Sequence, residues 1–271
     1  MQNAKELPFR NFDMREKEGN TSKEEIKKAP LVIGFLGCLA SGKTTLSSEL
    51  GKRWGITPVE ENYPANPFLE EFYENPPEYS FRSQMNFLIS KVDQLKNIDK
   101  SKVSLIDPSL SMDFIYAKTH NKMGWMNDNE WNLYRNVFYA ITGKGDLPYP
   151  DVHIIVTADN EDLKKRIVER GRKYELWILE NYPEYLDRLS ESVNEWGGEK
   201  DNGSFKFIAN TSSEGGLSGT TEQLADRIES HICSRFGVDG RFILPDIKPP
   251  VLDWKTDYFP GGGSDLLRLR R

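Results

Sequence analysis

Short apolar runs alternate along the chain with longer stretches in which apolar residues recur at the spacing of a helix. The short runs are typical of strands buried on both faces, and they predict five strands, at 31–36, 57–60, 102–107, 152–156 and 205–209. The helical spacing predicts one helix that follows the first strand and a loop and ends at about 54, and further helices at 66–73, 80–97, 112–121, 128–141, 160–170, 174–196 and 221–236. Strands that alternate with helices indicate an α/β fold with a parallel sheet covered on both faces, and a ligand site at the carboxyl ends of its strands.

The two ends of the chain differ from this pattern. Residues 1–29 carry charges of both signs with little apolar periodicity, so we expect a mobile N-terminal arm. The composition shifts to proline, glycine and charge near the C-terminus, so 238–271 is expected to be an extension without an assigned role. The predicted folded domain therefore covers 30–237.

Composition narrows the class of protein. A chain of 271 residues is long enough for one large domain with appendages or for two small ones. The two cysteines provide no disulfide framework, which favours a reducing compartment. No apolar run has the length of a membrane span, and the net charge of −6 argues against a surface for duplex nucleic acid. We therefore expect a soluble cytoplasmic enzyme without a membrane or duplex nucleic-acid partner.

The most specific motif follows the first strand. Residues 37–44, Gly-Cys-Leu-Ala-Ser-Gly-Lys-Thr, fit the spacing G-x-x-x-x-G-K-[ST] between a strand and a helix, as a phosphate-binding loop requires. Glycines let backbone N–H groups turn toward a phosphate, and the helix N-terminus favours the same anion. The residues expected to bind a nucleoside triphosphate are Gly37, Leu39, Ala40, Ser41, Gly42, Lys43, Thr44 and Thr45.

Acidic residues end two of the other predicted strands. Asp107 is placed to hold Mg²⁺ together with the Thr44 hydroxyl, although an acid at this position is also able to cap the next helix. Glu60 and Glu61 end the second strand. Neighbouring side chains of a strand point to opposite sides, so one of them is expected to face the site as a general base and the other to face solvent.

A cationic segment lies between two predicted helices. Residues 170–175, Arg-Gly-Arg-Lys-Tyr-Glu, are able to close over a triphosphate as a lid. The alternative is a solvated basic helix end, which the helix dipole favours.

Two more segments, taken with the phosphate loop and the pattern Arg170-Gly171-Arg172-x-x-Glu175, resemble a known family. One is Glu61 followed by Asn66-Pro67-x-Leu69-x-x-Phe72-Tyr73-x-x-Pro76, and the other is Phe81-x-x-Gln84-x-x-Phe87-Leu88. From residue 31 to about 197 the chain resembles the deoxynucleoside kinase family, especially its bacterial deoxyadenosine/deoxyguanosine kinase branch.

The resemblance implies a P-loop kinase fold, a three-layer sandwich with a roughly five-stranded parallel sheet and a helical lid, and ATP and Mg²⁺ as cofactors. It implies that Glu61 is the base for the nucleoside 5′-hydroxyl and that Arg170 and Arg172 contact the ATP phosphates. Gln84 would recognise the base of the nucleoside, Lys91 and Asp113 would occupy the positions of the family's base-recognising arginine and its acidic partner, and Glu175 would bind the sugar 3′-hydroxyl. It also implies a homodimer formed through the helices at 80–97 and 128–141.

Aromatic residues near these positions have two interpretations. The side chains of Tyr73, Phe81, Phe87 and Phe114 are able to sandwich a base, or they belong to the hydrophobic core. Of these, Tyr73 and Phe81 are included among the predicted substrate-binding residues.

The chain departs from the family pattern at two positions. Asp107-Pro108-Ser109 stands where the family has Asp/Glu-Arg-Ser, and proline has no donor to offer. Lys91 replaces an arginine, which exchanges a planar fork for a point charge. Lys118 and Arg82 are the candidate substitutes for the missing arginine, and the departures indicate a divergent branch with its own substrate.

The leading hypothesis is an ATP-dependent kinase that phosphorylates the 5′-hydroxyl of a deoxynucleoside. One alternative is a nucleoside monophosphate kinase of the thymidylate kinase type, which would need further cations near Asp107. The other is a catalytically weak relative that binds nucleotide and acts as a subunit or sensor.

Overall fold

The structure is a computed structural model that describes residues 31–143, 145–199, 204–213 and 219–236. The predicted N-terminal arm (1–29) and C-terminal extension (238–271) lie outside these residues. The strands are β1 (Val32–Gly37), β2 (Val59–Glu60), β3 (Ser104–Asp107), β4 (Val152–Thr157) and β5 (Phe205–Asn210). The helices are α1 (Lys43–Trp54), α2 (Leu69–Glu74), α3 (Pro76–Lys96), α4 (Leu110–Lys122), α5 (Asp128–Thr142), α6 (Asn160–Arg170), α7 (Lys173–Asn181), α8 (Tyr185–Gly198) and α9 (Thr221–Phe236).

The strands form one parallel sheet in the order β2-β3-β1-β4-β5. The chain enters at β1 in the centre, crosses to β2 and β3 on one side, and then returns to β4 and β5 on the other. Strands β1 and β3 therefore end side by side at the carboxyl edge of the sheet, where the chain continues into the loop at 37–44 and into Pro108. A ligand site is expected at such an edge.

Each face of the sheet is covered by its own set of helices. Helices α1 and α9 pack on the face that carries Ile33 and Phe35, with Leu50 and Ile228 fully buried between them and the sheet. Helices α4 and α8 cover the opposite face, which presents Leu36. A third cluster, around Leu88, Ile106 and Tyr134, joins α3, α4 and α5 to the side of the sheet. The predicted three-layer α/β architecture is confirmed.

Two predicted helix boundaries are wrong. Helix α3 begins at Pro76 and not near Ser80. The pair Pro76-Pro77 was interpreted as the end of the preceding helix, but it occupies the first turn of α3. Proline is tolerated there because the N–H groups of the first turn have no partner within the helix. The single helix predicted over 174–196 is two helices, α7 and α8, interrupted at 182–184. Pro183 lies in that interruption, and proline breaks a helix interior.

Apolar side chains lie exposed on two of the helices that were expected to form a dimer. Ile89 on α3 is 57% exposed, and Leu133 and Tyr139 on α5 are 53% and 49% exposed. No helix in the described part of the chain has both the length and the apolar character needed to cross a membrane.

Candidate active site

The loop between β1 and α1 has the backbone conformation of a phosphate cradle. Gly37 has φ +150°, and a Cβ there would lie 2.2 Å from the carbonyl oxygen of Val156, so only glycine fits. Gly42 has φ +94° and immediately precedes α1, and Ala40 also has a positive φ of 57°. These left-handed residues turn the chain sharply enough to direct successive N–H groups to one point, in front of a helix N-terminus.

Lys43, the first residue of α1, spans this loop. Its Nζ donates hydrogen bonds to the carbonyl oxygens of Gly37, at 2.9 Å, and Cys38, at 2.8 Å. Burial lowers the pKa of Lys43, and the carboxylates of Asp107 and Glu61 oppose that shift. The ammonium therefore lies inside the loop and within the field of both acids.

A cavity of about 500 Å³ opens in front of the loop. Six of the eight loop residues predicted to bind nucleotide line it: Ala40, Ser41, Gly42, Lys43, Thr44 and Thr45. Of the other two, Gly37 ends β1 beneath the cavity and Leu39 packs against the hydrophobic core. The cavity is of the size that a nucleotide requires.

Arg166 and Thr211 line this cavity and are absent from the sequence-based predictions, as are Leu46, Leu224 and residues 219–221. Arg166 on α6 donates to the Thr211 hydroxyl at 3.0 Å and to the carbonyl oxygen of Ala40 at 3.4 Å. The Thr211 hydroxyl donates in turn to the carbonyl oxygen of Ser41 at 2.9 Å. Arg166 precedes Arg170 by four residues, a spacing that puts both on one face of a helix and would have identified Arg166. No comparable pattern marks Thr211.

Glu61 and Asp107 are neighbours at the carboxyl edge of the sheet. Glu60 is paired with Asp107 between β2 and β3, and the backbone N–H of Glu61 donates to the Asp107 carbonyl oxygen at 3.1 Å. The Asp107 side chain is 3% exposed, and its Oδ2 accepts a hydrogen bond from Ser47 of α1 at 2.9 Å. Its Oδ1 has no hydrogen-bond partner among the described residues.

The donor set beside the loop suits Mg²⁺. The second oxygen of Asp107 is buried and has no hydrogen-bond partner in the part of the chain that the structure describes, and Thr44 lies in the first turn of α1, in the cavity lining. Carboxylate and hydroxyl oxygens are the hard ligands that Mg²⁺ prefers. The residues predicted to hold the metal therefore fit it chemically.

Of the two adjacent glutamates, Glu61 is the one that lies among cations. Its Oε1 is 3.9 Å from Nζ of Lys91, and its side chain is 24% exposed, whereas Glu60 is exposed. Burial raises the pKa of the Glu61 carboxyl, and Lys91 and Lys43 oppose the shift. A raised carboxyl pKa strengthens the carboxylate as a proton acceptor.

A second group of polar side chains is buried between α3 and α4. Gln84 and Lys91 lie seven residues apart on one side of α3, and Asp113 lies in the first turn of α4; they are 4%, 1% and 2% exposed. Each has a buried atom without a hydrogen-bond partner among the described residues, namely Gln84 Oε1, Lys91 Nζ and Asp113 Oδ2. Burial, together with the Glu61 charge, raises the pKa of Asp113 well above its usual range. Unpaired buried polar atoms are costly, and they are typical of a site that a polar ligand completes.

The predicted aromatic residues separate into two environments. Tyr73 stacks on Tyr174 with ring centroids 4.6 Å apart, and burial, with the charge of Glu175, raises the pKa of its hydroxyl. Phe81 is partly buried against the α3–α5 cluster. Phe114 packs there too, 4.9 Å from Phe138 of α5 between ring centroids. Tyr73 thus lies at the lid, and both phenylalanines belong to a helix interface.

The lid segment is tied to its own glutamate. Glu175 is 2% exposed, and its Oε2 is 2.6 Å from Nη2 of Arg170, while its Oε1 is 3.4 Å from Nη1 of Arg172. The guanidinium of Arg172 also lies over the ring of Tyr63, 5.0 Å from its centroid. Because Arg170 lines the cavity in front of the loop, one ion-pair cluster joins that cavity to Glu175 and Tyr73.

A sequence model of the family described as deoxynucleoside kinase matches residues 33–232. A deoxyadenosine/deoxycytidine kinase of Bacillus subtilis is 34% identical over 163 residues, which cover 59% of this chain and 75% of that protein. A deoxyguanosine kinase of the same organism is 30% identical over 154 residues, which cover 57% of this chain and 73% of that one.

The fold also matches a solved structure, that of deoxyadenosine kinase from M. mycoides with bound dCTP. The TM-score is 0.65 at 22% identity, over 75% of this chain and 100% of that one. The predicted P-loop kinase fold is confirmed, and the deoxynucleoside kinase hypothesis is favoured over the monophosphate kinase and the weak relative. The chain belongs to the deoxynucleoside kinase family.

Proposed function

We propose that this kinase transfers the γ-phosphoryl group of ATP to the 5′-hydroxyl of a deoxynucleoside, with Glu61 as the general base. The observation that carries the proposal is the position of Glu61. Its backbone is hydrogen-bonded to Asp107 beside the phosphate loop, and its side chain lies near Lys91 of the polar pocket. It therefore stands between the donor cavity and the pocket, where an acceptor hydroxyl must lie during transfer.

The donor side provides positive charge and N–H groups. Lys43 and the backbone of the loop would hold the β- and γ-phosphates of ATP, and Arg170 would reach them across the cavity that it lines. Arg172 would follow when the lid closes. Thr44 and Asp107 would hold Mg²⁺, which when bound neutralises charge on the transferred phosphoryl group.

The acceptor side provides groups that orient a nucleoside. The Gln84 amide can donate to and accept from the edge of a base, and Lys91 and Asp113 offer a cation and a carboxyl group beside it. Glu175 and Tyr73, which lie together at the lid, would bind the sugar. Bound in this way, the sugar would present its 5′-oxygen to Glu61.

The transfer step requires one proton movement. The 5′-hydroxyl oxygen attacks the γ-phosphorus, the bond to the β,γ-bridging oxygen breaks, and ADP leaves. The hydroxyl proton passes to the Glu61 carboxylate, which later releases it to water. Charge develops on the oxygens between Lys43 and the lid arginines, so these cations stabilise the transition state.

A coupled assay of ADP release over a panel of deoxynucleosides and their 5′-monophosphates tests the proposal. We expect turnover with at least one deoxynucleoside and none with the monophosphates. Turnover restricted to a monophosphate would favour the thymidylate kinase type. Nucleotide binding without any turnover would favour the weak relative.

The exposed apolar surface of α3 and α5, with Ile89, Leu133 and Tyr139, supports a homodimer through these helices. Light scattering on the wild-type protein and on a Leu133→Glu variant tests this assembly: the wild type should have the mass of a dimer and the variant that of a monomer. A cytoplasmic location stays a prediction.

A further inference from the structure

Around Glu61, acidic side chains outnumber the cations. Three acids lie close together at this edge of the site, Glu61, Asp107 and Asp113, and the cations that act on Glu61 are Lys43 and Lys91. Lys43 already donates to two carbonyl oxygens of the phosphate loop. Pro108, which follows Asp107, has no side-chain or backbone donor to offer.

The two substitutes considered from the sequence are engaged elsewhere. Nζ of Lys118 lies 3.3 Å from a carboxylate oxygen of Glu195, on the outer surface of α4 and α8. Nη2 of Arg82 lies 2.9 Å from Glu78, one turn earlier on the exposed side of α3. Both side chains are therefore paired with other acids, and the expectation that one of them supplies the missing cation gains no support.

Lys91 is the cation that reaches Glu61. Its side chain is 1% exposed, its Nζ has no hydrogen-bond partner among the described residues, and its ion pair is with Glu61 Oε1 at 3.9 Å. An ammonium buried this deeply needs a nearby negative charge. The Glu61 carboxylate is the group that lies close enough to provide this charge.

We propose that Lys91 is a positioning residue for phosphoryl transfer: its ammonium holds one oxygen of the Glu61 carboxylate and directs the other toward the acceptor hydroxyl. This inference rests on the proposed function of Glu61 and adds a role to the contact with the base. The ion pair involves Oε1, so Oε2 remains for the hydroxyl proton.

The test compares kcat and the nucleoside KM of the wild type with those of Lys91→Met, Lys91→Gln and Lys91→Arg. Without the ammonium, kcat should fall about 10- to 100-fold, by the same factor for every nucleoside accepted. Lys91→Arg, which keeps a positive charge, should retain most of the wild-type kcat. Lys118→Met, which removes a partly exposed lysine of α4, serves as the matched control and should behave as the wild type.

A role in base binding alone would give a different result. In that case Lys91→Met would raise the nucleoside KM by a factor that varies with the base, with kcat unchanged, and the inference would be overturned. If the neutral variants do not fold, Lys91→Arg carries the test, because a loss of kcat of about 10- to 100-fold in a variant that keeps the charge would contradict the inference. A wild type without nucleoside turnover would overturn the proposed function itself.

Discussion

Two charged clusters lie on different sides of the molecule and differ in how completely their atoms are paired. At the end of α1, the Arg53 guanidinium lies 2.7 Å from both Asp226 and Glu229 of α9 and 2.9 Å from Glu49, and the indole N–H of Trp54 also donates to Glu229. In the pocket between α3 and α4, by contrast, Gln84, Lys91 and Asp113 each retain a buried atom that has no hydrogen-bond partner among the described residues.

This difference distinguishes charged groups that stabilise the fold from charged groups that bind a ligand. The Arg53 cluster is complete within the chain and joins two helices. The pocket cluster is buried more deeply yet is incomplete, an arrangement that costs stability and is kept where a ligand provides the missing partners.

Glu61→Gln should lower kcat about 10²- to 10⁴-fold, because an amide cannot accept the 5′-hydroxyl proton. Glu60→Gln is the matched control, since the adjacent side chain is exposed. Steady-state kinetics with the best nucleoside of the panel measures both. Equal losses in the two variants would contradict the assignment of the base to Glu61.

Glu175→Gln should lower kcat/KM for the nucleoside about 10- to 100-fold, because it weakens a charged hydrogen bond to the sugar and releases Arg170 and Arg172. Glu180→Gln, in the same helix and exposed, is the control. If the ATP KM changes and the nucleoside KM does not, Glu175 belongs to the donor side only.

His120 offers a test of a buried group that is fully paired. Its ring nitrogens lie 2.8 Å from the Ser80 hydroxyl and 3.1 Å from the Tyr185 hydroxyl, and burial lowers its pKa to about 3. The imidazole of His120 binds a proton more readily in the unfolded chain than in the folded protein. The contribution of neutral His120 to the free energy of unfolding is therefore fully present above about pH 6.5 and is lost as the pH falls from there toward 3.

Urea unfolding at several pH values measures this contribution. Between about pH 6.5 and 3, protonation of His120 should lower the free energy of unfolding by about 1.4 kcal/mol for each pH unit of acidification. Burial also lowers the pKa of His153 to about 3, so His153 should make this dependence on pH steeper. A His120→Gln variant should lose stability less steeply on acidification. If the free energy of unfolding depended on pH equally in the variant and the wild type, His120 would have the same pKa in the folded and unfolded states, which would contradict this prediction.

The smallest effects are expected from one substitution in each cluster, and they compare the two clusters directly. Gln84→Met should leave the free energy of unfolding unchanged or raise it by about 1 kcal/mol, while the nucleoside KM rises, because an unpaired amide is replaced by apolar volume. Arg53→Met should lower the free energy of unfolding by about 1–2 kcal/mol and leave the kinetics unchanged. Reversed results would mean that the pocket cluster is structural.

The parts of the fold that depend on local sequence were predictable. The loop at 37–44 is a contiguous motif whose glycines have positive φ, and the apolar runs predicted all five strands. The expected burial holds for β1, β3 and β4, whereas β2 and β5, at the two edges of the sheet, are partly exposed. The errors concern proline: Pro76 begins a helix and Pro183 interrupts one. Both follow from the missing N–H of proline, but the choice between beginning and ending a helix depends on the neighbouring helices that the segment packs against.

The site was predictable to a lesser extent, because its residues come from distant segments. Without the family resemblance, nothing in the sequence relates Gln84, Lys91 and Asp113 to one another. The ion pair of Lys91 with Glu61 joins residues thirty positions apart through the packing of α3 beside the end of β2, and periodicity contains no such information. Thr211 was missed for the same reason.

The most direct measurement is a crystal structure of the protein with a deoxynucleoside and a non-hydrolysable ATP analogue. The account predicts the triphosphate in the loop at 37–44, the base beside Gln84, and the 5′-oxygen about 2.6–3.2 Å from a Glu61 carboxylate oxygen. A nucleoside whose 5′-oxygen lies beyond the reach of Glu61, or whose base lies outside the pocket between α3 and α4, would contradict it.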